Sequence, residues 1–581
     1  MNKKNNIYRH NGHKIRTGVL CLLAISLLQN VFGITAWAQK PDKQQNAKAK
    51  TTITAKHPAR IDNKKNSKLV PQIPGANRYQ KNKIFLENAD VLSADYNISK
   101  DYQVLTGNVK FRKEGMFMYC DSAYFYEKTN SLDAFGNVKM EQGDTLFVYA
   151  DVLYYSGFDE MAQLRYNVRL INRDVTLYTD SLDYDMRNNL GYYFEGGKII
   201  DSQNELSSVY GQYEPDTKHA EFLYDVELRN EKYVMNTDTL HYNTATHIAD
   251  IVGKTVIESD SNVIYTNKGW YNTEVENSAL YDRSLIVTKD KQTIVGDTLY
   301  YNRNTGEGEA FGNEVLTDTA NSSILDGNYG YHNEQTHESF VTKRARAREF
   351  SQGDTLYLHA DTLRTCLDSD SLRLLMAYDK VRFYRSDIQG VCDSMSIAER
   401  DTILNMYKHP VVWSGERQVS GNEINVHMND STADWATLPD FGFVTERIED
   451  VYFNQLTGKE MKAYFEDKEL RKLDVKGNVR MLTYPMENDS TYNKLIKAEG
   501  SFLIVTFKPK QQIDKMVLWP DVVGKAMPLY LARKKDLTLD DFKWYEELRP
   551  SGPDDIFGKE DEMNALMNEE VKSVRRKKKS N

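Results

Sequence analysis

The chain has 581 residues, a formal net charge of −9, 40% hydrophobic and 11% aromatic residues, with 13 Pro and 37 Tyr. The acidic balance argues against a protein that binds a phosphate backbone. No stretch after residue 38 approaches the length of a transmembrane helix, and too little chain follows the repeats described below for a large outer-membrane barrel.

Residues 1–38 read as an export signal. Lys3, Lys4, Arg9, Lys14 and Arg16 make a basic start, Gly18–Leu28 is an apolar core too short to span a bilayer, and Ala36-Trp37-Ala38 is a small-x-small cleavage site. Cys21 follows Leu20, which is too large for a lipoprotein signal. The expectation is cleavage before Gln39. Residues 39–84 hold twelve Lys or Arg against two Asp, which predicts a disordered basic arm, either a solvated spacer or a segment that touches anionic headgroups. Leader and arm together carry fifteen of the positive charges net, so the rest of the chain stands near −24.

A repeat then begins. Its opening strand appears as ADVLSADY from Ala89, CDSAYFY from Cys120, ADVLYY from Ala150, TDSLDY from Thr179, TDTLHY from Thr237, GDTLYY from Gly296 and ADTLRT from Ala360. Weaker copies lie near Tyr210, Gly269, Asn328, Cys392 and Asn422. The closing strand recurs as LTGNVKF from Leu105, AFGNVKM from Ala134, LRYNVRL from Leu164, FLYDVEL from Phe222, AFGNEVL from Ala310 and VKGNVRM from Val475. Period-two alternation marks both segments as strands. It puts Asp151, Leu153 and Tyr155 on one face, and Leu132, Ala134, Gly136, Val138 and Met140 on one face of the next strand. About a dozen strand pairs of about thirty residues each are expected, none able to bury its apolar face alone. The fold class is therefore all-β and elongated. The repeats are strongest over residues 85–320 and continue more weakly over residues 321–510. Residues 511–581 are a C-terminal region in which Thr538 caps a short helix running to Leu548, residues 560–574 are weakly helical, and Arg575–Lys579 form a basic tail.

Chemistry is scarce in this sequence. There is no His-Glu-x-x-His, Cys-x-x-Cys, Gly-x-Ser-x-Gly or phosphate-cradling glycine loop. His241 and His247 lie near one hairpin, and Asp368-Ser369-Asp370 offers carboxylates to a cation; each reads more simply as ordinary strand or turn chemistry. An Asp that recurs in every layer behaves as a structural residue, whereas an active site needs a unique constellation. No enzyme, metal or cofactor is expected. Three cysteines remain beyond the leader, and Cys366 and Cys392, about one unit apart, are either a bridge between layers or, like Cys120, buried small hydrophobes.

Across the strong copies the second and fourth residues after the Asp stay apolar: Leu153 and Tyr155, Leu182 and Tyr184, Leu240 and Tyr242, Leu299 and Tyr301. The first and third vary as a solvated face does. The interior so formed is either a groove for extended acyl chains or a fully packed core.

The Asp-x-Leu-x-Tyr opening, the Ala-x-Gly-Asn-Val closing and their spacing behind an export signal resemble the OstA-like, LptA-type periplasmic proteins, whose module also forms the soluble part of LptD. The resemblance implies a V-shaped antiparallel β-jelly-roll, the β-taco, whose interior carries the lipid A acyl chains of lipopolysaccharide. It implies a non-enzymatic conduit in the periplasm, associated with outer-membrane assembly. The contacts would be Val138, Met140 and the Leu and Tyr residues just named. The implied partners are an LptD-type outer-membrane translocon and an inner-membrane LptC-like anchor, joined through edge strands, with end-to-end self-association as a further mode. No nucleic acid is implied. The chain departs from the family in having two to three times the layers of a free-standing LptA and no LptD barrel. The alternative is a structural envelope filament or adhesin with a packed interior.

Overall fold

The structure is a computed structural model. It describes residues 83–94 and 101–558, apart from residues 174, 202–203, 260–261, 290, 321, 334, 351–352, 369–371, 399–401, 430–432, 467–468, 487–490 and 510–512. The export signal, nearly all of the basic arm, the carboxylates at 369–370, the weak helix at 560–574 and the basic tail lie outside the described residues. Those described form 42 strands, and their pairings are antiparallel. No described helix is long and apolar enough to cross a membrane. The chain divides into two compact units, one of residues 34–260 and one that includes residues 261–581.

In the first unit the strands Gln103–Lys113, Met116–Tyr126, Ser131–Gln142 and Leu146–Ser156 are each eleven or twelve residues long. Each bends once in the middle. Its two halves lie in two different half-sheets, called here the first and second leaf. Gln103–Thr106 pairs with Ser122–Phe125 in the first leaf, and Val109–Lys113 pairs with Met116–Cys120 in the second. The register slips at each bend, between Thr106 and Val109, Tyr119 and Ser122, Phe135 and Val138, and Tyr149 and Val152.

The bend is made by the repeated motif. In each closing strand two consecutive residues take left-handed backbone: Gly107 and Asn108 at φ 80° and 45°, and Gly136 and Asn137 at 74° and 46°. Glycine enters that region freely and asparagine more easily than other side chains, which otherwise lose about 1–2 kcal/mol there. The asparagine then reaches the aspartate of the preceding opening strand. Asn108 Nδ2 donates to Asp90 Oδ2 at 2.8 Å, Asn137 to Asp121 at 2.8 Å, and Asn167 to Asp151 at 2.6 Å. These bonds lie on the exposed side of the crease.

The bend also corrects the expected facing of the opening strand. Asp151 is exposed, while Ala150, Leu153 and Tyr155 are buried. Two residues, Asp151 and Val152, separate successive inward positions, because the extra residue at the bulge reverses the alternation there. The closing strand keeps its phase, with Leu132, Ala134 and Val138 all buried.

In the second unit the same corner recurs at Gly312-Asn313, where Asn313 Nδ2 donates to Asp297 Oδ2 at 2.8 Å, and at Gly477-Asn478. Between them the corners are Lys343-Arg344, Asp379-Lys380 and Lys408-His409, all left-handed. There most strands are four to six residues long and lie in one leaf each.

The C-terminal region departs from expectation. Residues 538–548 do not form a helix capped by Thr538; they run largely without regular structure into a single 3₁₀ turn at Glu546–Leu548. Their backbone groups are taken by glutamines of the sheet. Leu539 N–H donates to Gln455 Oε1 at 2.7 Å, Tyr545 N–H donates to Gln418 Oε1 at 2.8 Å, and Gln418 Nε2 donates to the Lys543 carbonyl at 2.9 Å. Arg549 Nε donates to Gln389 Oε1 at 2.8 Å. The segment thus lies as a strap across the sheet face that carries Gln389, Gln418 and Gln455, where Leu548 packs on Val391, Val411 and Trp413. Phe542 meets Phe443 and Phe453 there, with ring centroids 6.5 and 5.2 Å apart.

The crease can be tested with two glycines. Gly143 has φ 62° and open space where a Cβ would project, whereas a Cβ on Gly136 would lie 2.6 Å from Asp121 Oδ2. Gly143→Ala should cost about 1 kcal/mol from backbone alone, and Gly136→Ala about 1–3 kcal/mol more from the collision. Equal denaturation midpoints for the two variants would show that the Asp–Asn contact is dispensable.

Candidate functional site in the interior between the leaves

Inside the first unit the two leaves face each other across an apolar interior. Leu105, Val109, Phe111, Ala123, Leu132, Ala134, Val138, Leu153 and Leu164 belong to one buried cluster, on which Met140 and Tyr184 pack from its edge. Among the described residues of this unit, no buried side chain before Thr179 carries a polar atom apart from the Cys120 thiol and the Tyr155 hydroxyl, which Lys113 bonds at the margin. Such a lining holds no hydrogen-bonding group that an alkyl chain would leave unsatisfied.

Each expected contact residue has a definite place. Val138, Leu153, Tyr155 and Leu182 are buried in that cluster, and Leu153 and Leu182 both stand opposite Leu164 on neighbouring strands. Leu240 is buried in the same unit between Phe222 and Ile251, with Tyr242 half-buried. Leu299 is buried and Tyr301 half-buried in the other unit. The varying positions are not uniformly solvated, however. Ser181 and Asp183, expected outside, are buried, because Arg165 bonds Asp183 while stacking over Phe194 at 5.5 Å, and Gln163 Nε2 donates to the same carboxylate at 3.2 Å.

The leaves touch. Phe111 on the second leaf and Phe125 on the first have ring centroids 5.6 Å apart. At the free margin, opposite the crease, Lys113 Nζ donates to the Tyr155 hydroxyl at 2.8 Å and stands 3.6 Å from Met186 Sδ. Ile84 N–H donates to Asn130 Oδ1 at 2.9 Å across the same opening. These margin contacts run through side chains, unlike the continuous backbone ladders within each leaf.

Other candidates separate. His241 Nε2 approaches Glu221 at 3.3 Å, whereas His247 Nδ1 meets the Tyr242 hydroxyl at 3.4 Å, so the two histidines serve different neighbours. Cys120, Cys366 and Cys392 are free thiols. Burial pushes Cys120 up to about 12 and Cys392 higher still, so neither offers a thiolate. A concavity of about 800 Å³, lined by Tyr149, Arg169, Tyr178 and Asp180, lies on the outer side of the crease, where Gly196-Gly197 replaces the usual Gly-Asn. It does not communicate with the apolar stripe by any buried apolar residue except Val168.

Residues 81–238 match the family model described as OstA-like protein. That segment is therefore an OstA-like module, and it takes in the four creased strands between Gln103 and Ser156 and the buried apolar cluster from Ile84 to Tyr193. No curated protein matches the chain.

One interior residue escaped the sequence reading. In AFGNEVL the residue after Gly-Asn is Glu314, where the other strong copies have Val109, Val138, Val168 or Val479. The signal lay in that one substitution. Glu314 faces inward and is buried, its Oε2 accepts no hydrogen bond, and a Cβ on Gly330 would collide with it. Burial alone pushes its carboxyl up to about 8 from 4.5.

A raised carboxyl makes stability depend on pH with a definite sign. Below about 4.5 the acid is protonated whether folded or not; between 4.5 and about 8 only the unfolded chain releases the proton. Stability is lost as pH rises through that window, by about 1.4 kcal/mol per unit. The stability of Glu314→Gln relative to the parent should therefore improve by roughly 2–3 kcal/mol between pH 5 and pH 7, read from denaturant unfolding at each pH. A gap independent of pH would show that Glu314 ionises normally.

Proposed function

We propose that this chain is a non-enzymatic, exported lipopolysaccharide-binding protein whose OstA-like module holds lipid A acyl chains between its two leaves, as part of a conduit toward the outer membrane. The observation that carries the reading is the unbroken apolar lining from residue 84 to residue 177, in a module that matches the OstA-like family. Access follows from the margin. Parting the leaves there breaks the Lys113 and Ile84 contacts and leaves every backbone ladder whole. Lys113 keeps a cation at the mouth, suited to the phosphorylated head of a lipid whose tails lie inside.

The ends of the array suit pairing with partner sheets. Val91–Ser93 pairs on one side with Gln103–Lys113, and Val91 and Leu92 are 57% and 54% exposed. At the far end of the repeats, Ile513–Trp519 and Val523–Pro528 each pair with Lys494–Phe507 and expose Ile513, Trp519 and Val523. Open edges invite augmentation. An LptC-like anchor, an LptD-type translocon and a second copy of this chain are the partners this reading assigns to them.

A second reading has an observation of its own. The interior residues are packed against one another, with Leu153 only 2% and Leu240 only 1% exposed. A filament with a dry core needs nothing more.

Labelling separates the two. A diazirine analogue of leucine at position 153 or 240, facing in, should crosslink to lipopolysaccharide on irradiation. The same group at Tyr154 or Thr239, one residue away, should label weakly or not at all. Equal labelling at paired positions, or none at 153 and 240 in folded protein, favours the filament.

A further inference from the structure

The second unit carries an interior of different chemistry. Glu314 occupies the inner corner where the repeat places valine, and the neighbouring strand supplies Gly330 and His332 at the two positions that elsewhere hold leucine and tyrosine. The pairing sets Ala310 opposite Gly330 and Gly308 opposite His332. Removal of the leucine side chain at 330 leaves the room that the Glu314 carboxyl fills.

Polar groups share the inward faces of these strands with the buried Leu316, Leu325 and Ile294. Gln292 Nε2 donates to Asp318 Oδ2 at 2.8 Å, both buried, and His332 Nδ1 lies 2.7 Å from Ser339 Oγ. Asp318 follows Glu314 and Leu316 on the same inward stripe, and Ser323 stands opposite it. An alkyl chain laid against this belt would bond to none of these groups and would leave the Glu314 Oε2 without a partner. A buried carboxyl oxygen without a partner costs about 1–3 kcal/mol in proteins, and an alkyl chain beside Glu314 would leave that cost unrelieved where Val138 or Val168 would carry none.

We infer that Glu314 and the polar belt around it bar acyl chains from these layers, so that lipid is held by the apolar interior of the OstA-like module and not by the interior of residues 284–349. The inference rests on the acyl-binding reading above and narrows it: the repeats share one crease but not one ligand. Glu314 acts as a selectivity residue. Valine at that position would restore the lining found in the other layers, whereas glutamine would keep an amide that also needs a partner.

The test uses the full chain and rough-type lipopolysaccharide with radiolabelled acyl chains. The leucine-sized diazirine is placed at Leu153 or at Leu316, which is buried beside Glu314. Label is expected at 153 and not at 316. Glu314→Val should raise labelling at 316 at least fivefold, while Glu314→Gln should leave it at background, and 153 should be unchanged in both. Unfolding midpoints confirm that the variants fold. Label at 316 in the parent equal to that at 153 overturns the barrier and leaves the lipid reading standing. So does a Glu314→Val protein that folds and stays unlabelled at 316. Absence of label at 153 as well overturns the acyl-binding reading, and the barrier with it.

Discussion

At four corners a hydrogen bond from an asparagine to the aspartate of the preceding strand holds the bend on which the creased strands depend. A strand that crosses from one leaf to the other must bend sharply without breaking its ladders. Two consecutive left-handed residues achieve the bend, and the Asp carboxylate holds the second of them. The glycine before it is required twice over at Gly136 and Gly312, by a positive φ and by an aspartate oxygen 2.6 Å from any Cβ. Without the corner each long strand would run straight, the sheet would be flat, and its apolar stripe would have no facing leaf to cover it. The crease thus creates the interior.

What fills that interior varies along the chain even between layers that share the Gly-Asn corner, such as those of Asn137 and Asn313. In the first unit the stripe begins as an apolar cluster and acquires its first buried hydroxyls at Thr179, Ser208 and Thr237, directly before the crease. These satisfy one another locally: Thr237 Oγ1 lies 2.6 Å from Thr255 Oγ1, and Tyr193 OH lies 2.6 Å from Ser208 Oγ. In the second unit carboxylates, an imidazole and an amide join them. A backbone plan that repeats every thirty residues tolerates this drift, because the corner bonds sit outside the crease and are indifferent to what points inward. Interior chemistry and folding chemistry are carried on opposite sides of the same bend.

The strap of the second unit adds a layer that the repeat does not supply. Gln389, Gln418 and Gln455 share one face of the second unit's sheet, under the strap, and all three are buried. Their amides offer a donor and an acceptor to the passing chain. An extended backbone has unpaired groups at regular intervals and can take both, whereas a helix has already spent its own. That explains why residues with fair helical pattern, Leu539–Leu548, run largely without regular structure here. Aromatic packing of Phe542 and Trp544 on Phe453 then supplies the apolar burial, with centroids 5.2 and 5.1 Å apart.

Much of this molecule was legible in order of residues alone. The strands, their thirty-residue rhythm, the structural character of the recurring Asp and the inward Leu at 153, 182, 240 and 299 all follow from local alternation, because a pleated strand has two faces and a repeat shows which of them stays apolar. The sequence also showed the resemblance that the OstA-like match over residues 81–238 supports. Three features belonged to the tertiary structure. The reversal of facing at Asp151 depends on the bulge, which inserts a residue that no period-two reading anticipates. The burial of Ser181 and Asp183 depends on Arg165, Gln163 and Phe194 closing over them. The strap depends on contacts between residues 125 apart, as between Gln418 and Lys543. A strand's own pattern records only which side is apolar; whether a third layer covers the other side, and whether a polar residue such as Glu314 ends up buried, is decided by chain that lies elsewhere in the sequence.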